Sequence, residues 1–284
     1  MLVIAAAALF GTIGTARILG PEAPSASVGA VRLAIAAGLL VLLAAPHGWA
    51  SLVAAWRLRA VWIAGLAQAA FNLTFLGAVT RTGVAVGTLV AIGCTPILTG
   101  LATRQLSRAW LVATGLALVG LAALLSEGLR SGVTVSGVVL ALGASASYAT
   151  FILSSAALDH SDVDMTAKLA AIFTVAAVVL APALLLSPLD WSRTASGLAM
   201  VVYMAVAATV VAYSLFNRGL RSVAPGAAAT LGLTEPLVAA LLGVAVLHEQ
   251  LSPLSWTGAG VVLLALAVMV RTTHRAESEP SRDA

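Results

Sequence analysis

The stretch "GLTEPLVAA", residues 232–240, sets a carboxylate, Glu235, directly before a proline, Pro236. It lies within the 24 residues from Ala224 to Leu247, which hold no other ionisable group. A helix needs about 20 mostly apolar residues to cross a bilayer, and this run supplies them. An acid at the centre of such a helix costs about 2.5–3.5 kcal/mol against lipid, so it should face protein or water. Pro236 has no N–H, so the carbonyl of Gly232, four residues back, is expected to lose its helical donor. The run reads as a membrane helix interrupted around a protein-facing acid.

Composition agrees with that reading. The chain has 284 residues, 61% hydrophobic and 9% charged, with a mean hydropathy of +1.05. Soluble domains carry about 25% charged residues, and a chain this poor in charge could not cover its surface in water. It is an all-α integral membrane protein on this reading, since the apolar runs are continuous and do not alternate as barrel strands do. Fifteen Lys+Arg against eleven Asp+Glu give a net charge of +4. The cations are scattered singly near the ends of apolar runs, a topology signal and not a nucleic-acid surface. One cysteine, Cys94, allows no internal disulfide. The first apolar run starts at Met1 without a basic segment before it, and reads as a span and not a secretory signal.

Cutting at charges, prolines and loop signals gives ten spans: 1–16, 29–45, 60–79, 83–103, 110–125, 134–154, 166–186, 196–216, 224–247 and 254–270. Only Thr80-Arg81-Thr82 separates the third from the fourth. With the N-terminus inside, ten cations fall on the cytoplasmic side: Arg57, Arg59, Arg104, Arg108, Lys168, Arg218, Arg221, Arg271, Arg275 and Arg282. Arg17, Arg32, Arg81, Arg130 and Arg193 fall on the other side. The bias places both termini in the cytoplasm and the chain in the plasma or inner membrane. All six tryptophans fall at or near span ends, where amphipathic rings anchor at headgroups. The tail after Arg271 is polar and reads as disordered.

Residues 71–96, "FNLTFLGAVTRTGVAVGTLVAIGCTP", echo residues 213–236, "YSLFNRGLRSVAPGAAATLGLTEP". Gly77 matches Gly219, and Pro96 matches Pro236. Five spans per half is an odd number, so the second half would enter the membrane in the opposite sense. Secondary transporters built this way place their sites at the repeat interface, where Pro/Gly interruptions recur in both halves. Pro96 and Pro236 fit that pattern, giving a first repeat at 1–127, a second at 128–271 and a cytoplasmic tail at 272–284.

The chain resembles the EamA branch of the drug/metabolite transporter superfamily. "GTIGTARILG", "SVGAVRLAIAAGLLVL" and "GVAVGTLVAIGCTPILTG" carry the resemblance, most clearly with "PGAAATLGLTEPLVAALLGVAVLHEQLSPLSWTGAGVVLLAL". The family implies a ten-helix secondary carrier of two repeats, exporting amino acids, other metabolites or drugs by alternating access. The first half departs from the pattern, with "TRQLSRAW" where an acidic residue is expected before the fifth span.

Six side chains are candidates for contact with a transported molecule or proton. Glu235 lies on a stripe of small residues with Ala228, Gly232, Ala239 and Gly243, which lets neighbours approach closely. Burial favours its neutral form, while a half-helix N-terminus or a bound cation favours the carboxylate. It is the first candidate for coupling to protons, or else an acid bonded to the opened helix. Gln68 and Asn72 share one helix face and either bond between helices or line a polar path. Tyr148 and Tyr213 either pack in the core or face the cavity, where the resemblance places their spans. Thr95 precedes Pro96 on a small-residue stripe with Gly83, Gly87, Ala91 and Thr99. Thr12 and Thr15 on the first span are weaker candidates.

Other patterns are turned down. "DHSDVD" at 159–164 reads as a solvated helix entry, and "HEQLS" at 248–252 lacks a second zinc-binding histidine. No P-loop and no GxSxG is present, so the chain reads as a carrier and not an enzyme. No cofactor or metal is called for. The partners are a small-molecule substrate, the bilayer and protons, and a homodimer is compatible with the sequence. The rival is a membrane scaffold or sensor without transport activity.

Overall fold

The computed structural model describes residues 1–130 and 133–278. The helices are α1 (Leu2–Leu19), α2 (Ser25–Ala44), α3 (Trp49–Trp56), α4 (Arg59–Thr103), α5 (Arg108–Leu124), α6 (Val135–Ala157) and α7 (Met165–Leu180). They continue as α8 (Pro182–Leu186), α9 (Ala195–Ala205), α10 (Ala212–Gly219), α11 (Pro225–Leu231), α12 (Thr234–Leu247) and α13 (Pro253–Ser278). Eight continuous helical paths among the described residues are long and apolar enough to cross a membrane.

Two physical reasons separate these eight from the ten spans of the sequence reading. First, α4 is two helices folded tightly at Gly83, whose φ of 77° and ψ of 165° suit glycine alone. The return helix packs on the first so closely that a Cβ on Gly87 would lie 3.0 Å from the Val79 side chain. Second, α5 is apolar but only 17 residues long.

Packing has a crossed pattern. Beside the most extensive interface, α4 with α6, two more long pairings are α2 with α7 and α5 with α13. At the second of these, glycines remove the side chains that would hold the helices apart. A Cβ on Gly120 would lie 2.9 Å from the Gly258 carbonyl oxygen. Between them α1 lies against α12 and α10, while α6 lies against both arms of α4. The ends of α4 and α12 also match: Arg104 (φ 55°) and His248 (φ 58°) are the only described non-glycine residues with positive φ. Each is followed by a residue folded back on its helix, Gln105 N to Gly100 O and Glu249 N to Gly243 O, both at 3.0 Å. Next comes a serine capping the following helix, Ser107 before α5 and Ser252 before α13. The repeated letters "QLS" at 105–107 and 250–252 mark that match in the sequence.

Several expectations need correcting. Pro96 does not break its helix: α4 passes through it, and its non-helical residue is Gly83. Pro236 does lie beside an interruption, since α11 stops at Leu231 and α12 restarts at Thr234. The Gly232 carbonyl is not orphaned there, because Glu235 N donates to it at 2.9 Å in a tight three-residue turn. Arg32, tallied with the cations of the non-cytoplasmic side, sits eight residues into α2, inside a membrane-crossing helix. Trp110 and Trp191 turn inward, Trp191 Nε1 donating to Ser27 Oγ at 3.1 Å, whereas Trp49, Trp62 and Trp256 face outward. The tail beyond Arg271 stays helical as far as Ser278, and residues 279–284 lie outside the described residues.

Candidate functional site

Five of the six side chains proposed as contacts meet in one place. Arg32 Nη2 donates to Asn72 Oδ1 at 2.9 Å. Asn72 Nδ2 donates back to Gln68 O at 2.8 Å, and Gln68 Nε2 donates to Tyr213 Oη at 2.8 Å. This chain of bonds joins α2, α4 and α10. The i, i+4 spacing of Gln68 and Asn72 puts both amides on the same face, as their positions required. Glu235, on α12, lies within electrostatic range of Arg32, Tyr213 and Tyr148. Tyr148 approaches through Phe71, its ring centroid 5.3 Å away.

The sixth, Thr95, lies elsewhere. Its hydroxyl bonds to Ala91 O at 2.8 Å and lies 3.3 Å from Ser145 Oγ, in the α4–α6 interface. Its hydroxyl is satisfied by its own helix and one neighbour, apart from the other five.

Local structure explains how Tyr213 and Glu235 reach the centre. A π-helical turn at Val206–Val211 immediately precedes α10. Thr209 Oγ1 reaches five residues back to Met204 O at 2.8 Å, which widens the turn and rotates α10 beyond it. On the other side, α1 permits α12 to come close because Gly11 has no side chain. A Cβ there would lie 2.5 Å from the Glu235 carbonyl oxygen.

The site is unsaturated. Glu235 takes no hydrogen bond from any described residue, and its side chain is half-buried, so the carboxylate has access to internal space. Arg32 Nε and Gln68 Oε1 are buried without a partner among the described residues. A cation and an anion thus share the centre without a direct ion pair between them among the described residues. Charges inside a membrane protein are expensive, and leaving them unpaired adds to the cost.

Two cavities bracket this centre. One of about 500 Å³ lies between α1, α9 and α12, with Thr12, Thr15, Met200 and Tyr203 among its lining residues. Tyr203 Oη donates to Thr12 Oγ1 at 2.9 Å, one residue beyond Gly11. The other, about 420 Å³, lies at the opposite end between the α6–α7 connection and α10, and includes Asp162, Asp164, Ser214 and Arg218. There Asp164 caps α7 by accepting from Ala167 N at 3.1 Å, and Asp159 pairs with Arg221 at 2.8 Å. Two of the three aspartates of "DHSDVD", Asp164 and Asp159, are spent on a helix entry and an ion pair.

Sequence reasoning missed Arg32. Its signal is present in the chain, since an arginine eight residues into a 20-residue apolar helix cannot be a loop charge. A span that begins at residue 29, four residues inside α2, leaves Arg32 near the helix end and hides its depth.

A bundle of apolar membrane-crossing helices around a polar centre that holds Arg32 and Glu235 is the architecture of an integral membrane protein. The family model of the EamA-like transporter family matches residues 135–271. The uncharacterized transporter YwfM of Bacillus subtilis is 39% identical over 275 residues, covering 95% of this chain and 92% of that protein. The threonine/homoserine exporter RhtA of Escherichia coli K12 is 30% identical over 275 residues, covering 93% and 88%. The chain belongs to the EamA-like transporter family, within the drug/metabolite transporter superfamily. A solved crystal structure shares the fold over 97% of both chains, with a TM-score of 0.81 at 18% identity.

Proposed function

We propose that this protein exports small zwitterionic amino acids in exchange for protons. The observation that carries the proposal is the placement of Arg32 and Glu235. The guanidinium is held by Asn72 with Nε free, and it suits a substrate carboxylate. Glu235 suits the ammonium group, and the unpartnered Gln68 Oε1 is a further acceptor in the network that holds Arg32. A carboxylate that binds either an ammonium or a proton, never both, couples the two movements: protonation on one side releases the substrate.

The crossed packing supports alternating access between two inverted five-helix halves, 1–127 and 128–271. Counting both arms of α4 and including α5 gives ten crossings. In such a frame the second and seventh, and the fifth and tenth, are symmetry partners, and those are the pairs seen as α2·α7 and α5·α13. The arginine bias puts both termini in the cytoplasm. Threonine and homoserine are the first substrates to test, because the 30% identical relative is an exporter of those two amino acids by name.

The test is counterflow of labelled threonine in proteoliposomes holding the purified protein. Wild-type protein should accumulate label against unlabelled threonine inside, and an outward-directed substrate gradient should drive proton movement the other way. Counterflow no greater than in empty liposomes across a panel of small amino acids would overturn the reading.

A further inference from the structure

We infer that five aromatic rings form a plug closing the cytoplasmic side of the central site, and that Ser155 and Asn217 line the path when the plug parts. The inference rests on the transport reading above and concerns how the same site reaches the cytoplasm.

The plug is built from four helices around Tyr213. Phe10 of α1 and Phe173 of α7 each lie 4.8 Å from its ring centroid, and Phe151 of α6 lies 5.3 Å away, edge-on. Phe216, one turn further along α10, is 6.4 Å from both Phe10 and Phe151. All five are buried. Such packing leaves no polar route past Tyr213 in this direction. The opposite direction differs, for there the 500 Å³ cavity comes down to Thr12, beside the Gly11–Glu235 contact. At that end a cavity thus reaches to within one residue of the Gly11–Glu235 contact, while on the Tyr213 side the rings pack against one another.

Beyond the plug stand two polar side chains that the closed packing leaves short of partners, although Asn217 Nδ2 donates to Tyr213 O at 3.0 Å. Ser155 lies one turn of α6 beyond Phe151, and Asn217 one turn of α10 beyond Tyr213. Both are about 2% exposed. Ser155 Oγ and Asn217 Oδ1 have no hydrogen-bond partner among the described residues. A buried polar atom without a partner costs roughly 1–3 kcal/mol, so two of them at one level are costly in a bundle this apolar. Water in a second conformation would satisfy both. They ride on the two helices whose rings meet at Phe151–Tyr213, so separating those rings also uncovers Ser155 and Asn217. Past them, the Asp159–Arg221 ion pair and the Lys168 Nζ bonds to Leu158 O (2.8 Å) and Ser161 O (3.0 Å) tie the connecting segments together. Those ties would release with the plug.

Cysteine labelling in inside-out vesicles tests this. Cys94 is replaced by alanine, and Ser155→Cys or Asn217→Cys is introduced, with Ala117→Cys in the α5–α13 region as a buried control. A small charged methanethiosulfonate is added from the cytoplasmic face. The expected result is slow labelling of both positions, raised at least about tenfold by Phe151→Ala, or by the milder Phe151→Leu, while Ala117→Cys stays inert. A gradient of threonine should raise it as well. If both positions stay as inert as Ala117→Cys under every condition, or react fully without any of them, the plug is refuted. The Phe151 comparison needs no substrate, so failure to transport threonine would strike the substrate assignment and leave this result standing.

Discussion

Arg32 donates to Asn72 at 2.9 Å from within α2, while Asn72 is itself tethered to Gln68 O, so a membrane-buried guanidinium is held in a fixed direction. A bare positive charge would be a liability at that depth. Here it has one amide partner, and its buried Nε has none among the described residues, which is why the proposal above assigns it the substrate carboxylate.

Arg32→Gln should therefore lower threonine counterflow at least about tenfold. That loss matches one charge-assisted hydrogen bond of about 1.5–3 kcal/mol. Thermal unfolding in detergent should stay near wild type or improve, because a costly buried charge is removed. Asn72→Ala should act more mildly, raising KM with little change in maximal rate, since it loosens the guanidinium without removing it. Wild-type counterflow in Arg32→Gln would make Arg32 a structural cation.

Glu235→Gln tests the exchange of proton for ammonium. In the wild-type protein a proton on Glu235 excludes the substrate's ammonium group, so threonine affinity should fall as pH is lowered. The glutamine variant carries no exchangeable proton, and its residual binding should be at least about tenfold weaker and flat with pH. Titration of threonine binding to purified protein between pH 5 and 8 reads both effects. A glutamine variant that keeps the wild-type pH dependence would move the coupling group elsewhere.

Much of this arrangement can be read from residue spacing, and the rest is hidden for physical reasons. Glu235 announces itself because an acid in 24 apolar residues must face inward, and the amides of Gln68 and Asn72 because four residues make one helix face. Tyr213 is less legible, since its approach depends on a π-turn produced by one threonine reaching five residues back. Pro96 misleads because a proline costs a helix one donor without always breaking it, and α4 stays helical through it while Thr95 packs on Ser145. Arg32 is hidden by a counting rule, because tallying arginines by side of the membrane takes no account of their depth. The turn at Gly83 is invisible to hydropathy, for glycine is neutral there and only its positive φ matters.

That turn gives a third expected outcome. Gly83 holds φ 77° and ψ 165°, a region costing a side chain about 1–3 kcal/mol. Gly83→Ala should lower the unfolding temperature and the yield of folded protein. Gly14→Ala, in a position with open space around it, should do neither. An alanine variant as stable as wild type would mean that the two arms of α4 can join by another turn.

The last expectation separates glycines that shape the site from glycines that only build the bundle. A Cβ on Gly11 would press on the Glu235 carbonyl oxygen at 2.5 Å and on Val238 Cβ at 3.0 Å. A Cβ on Gly120 would press on Val262 N at 2.8 Å, in the α5–α13 interface. Overpacking of either kind costs about 1–3 kcal/mol, so both alanine variants should lose comparable stability. Their transport should differ. Gly11→Ala pushes α1 from α12 beside the carboxylate, and should cut counterflow per folded molecule at least about fivefold. Gly120→Ala strains a pairing that does not contribute a side chain to the centre, and its folded fraction should transport at close to the wild-type rate. Measuring both as activity divided by folded protein removes the shared stability effect. If the two variants fall together, the α5–α13 interface moves during transport and is not a passive scaffold. If neither falls, the close approach of α1 to Glu235 is dispensable.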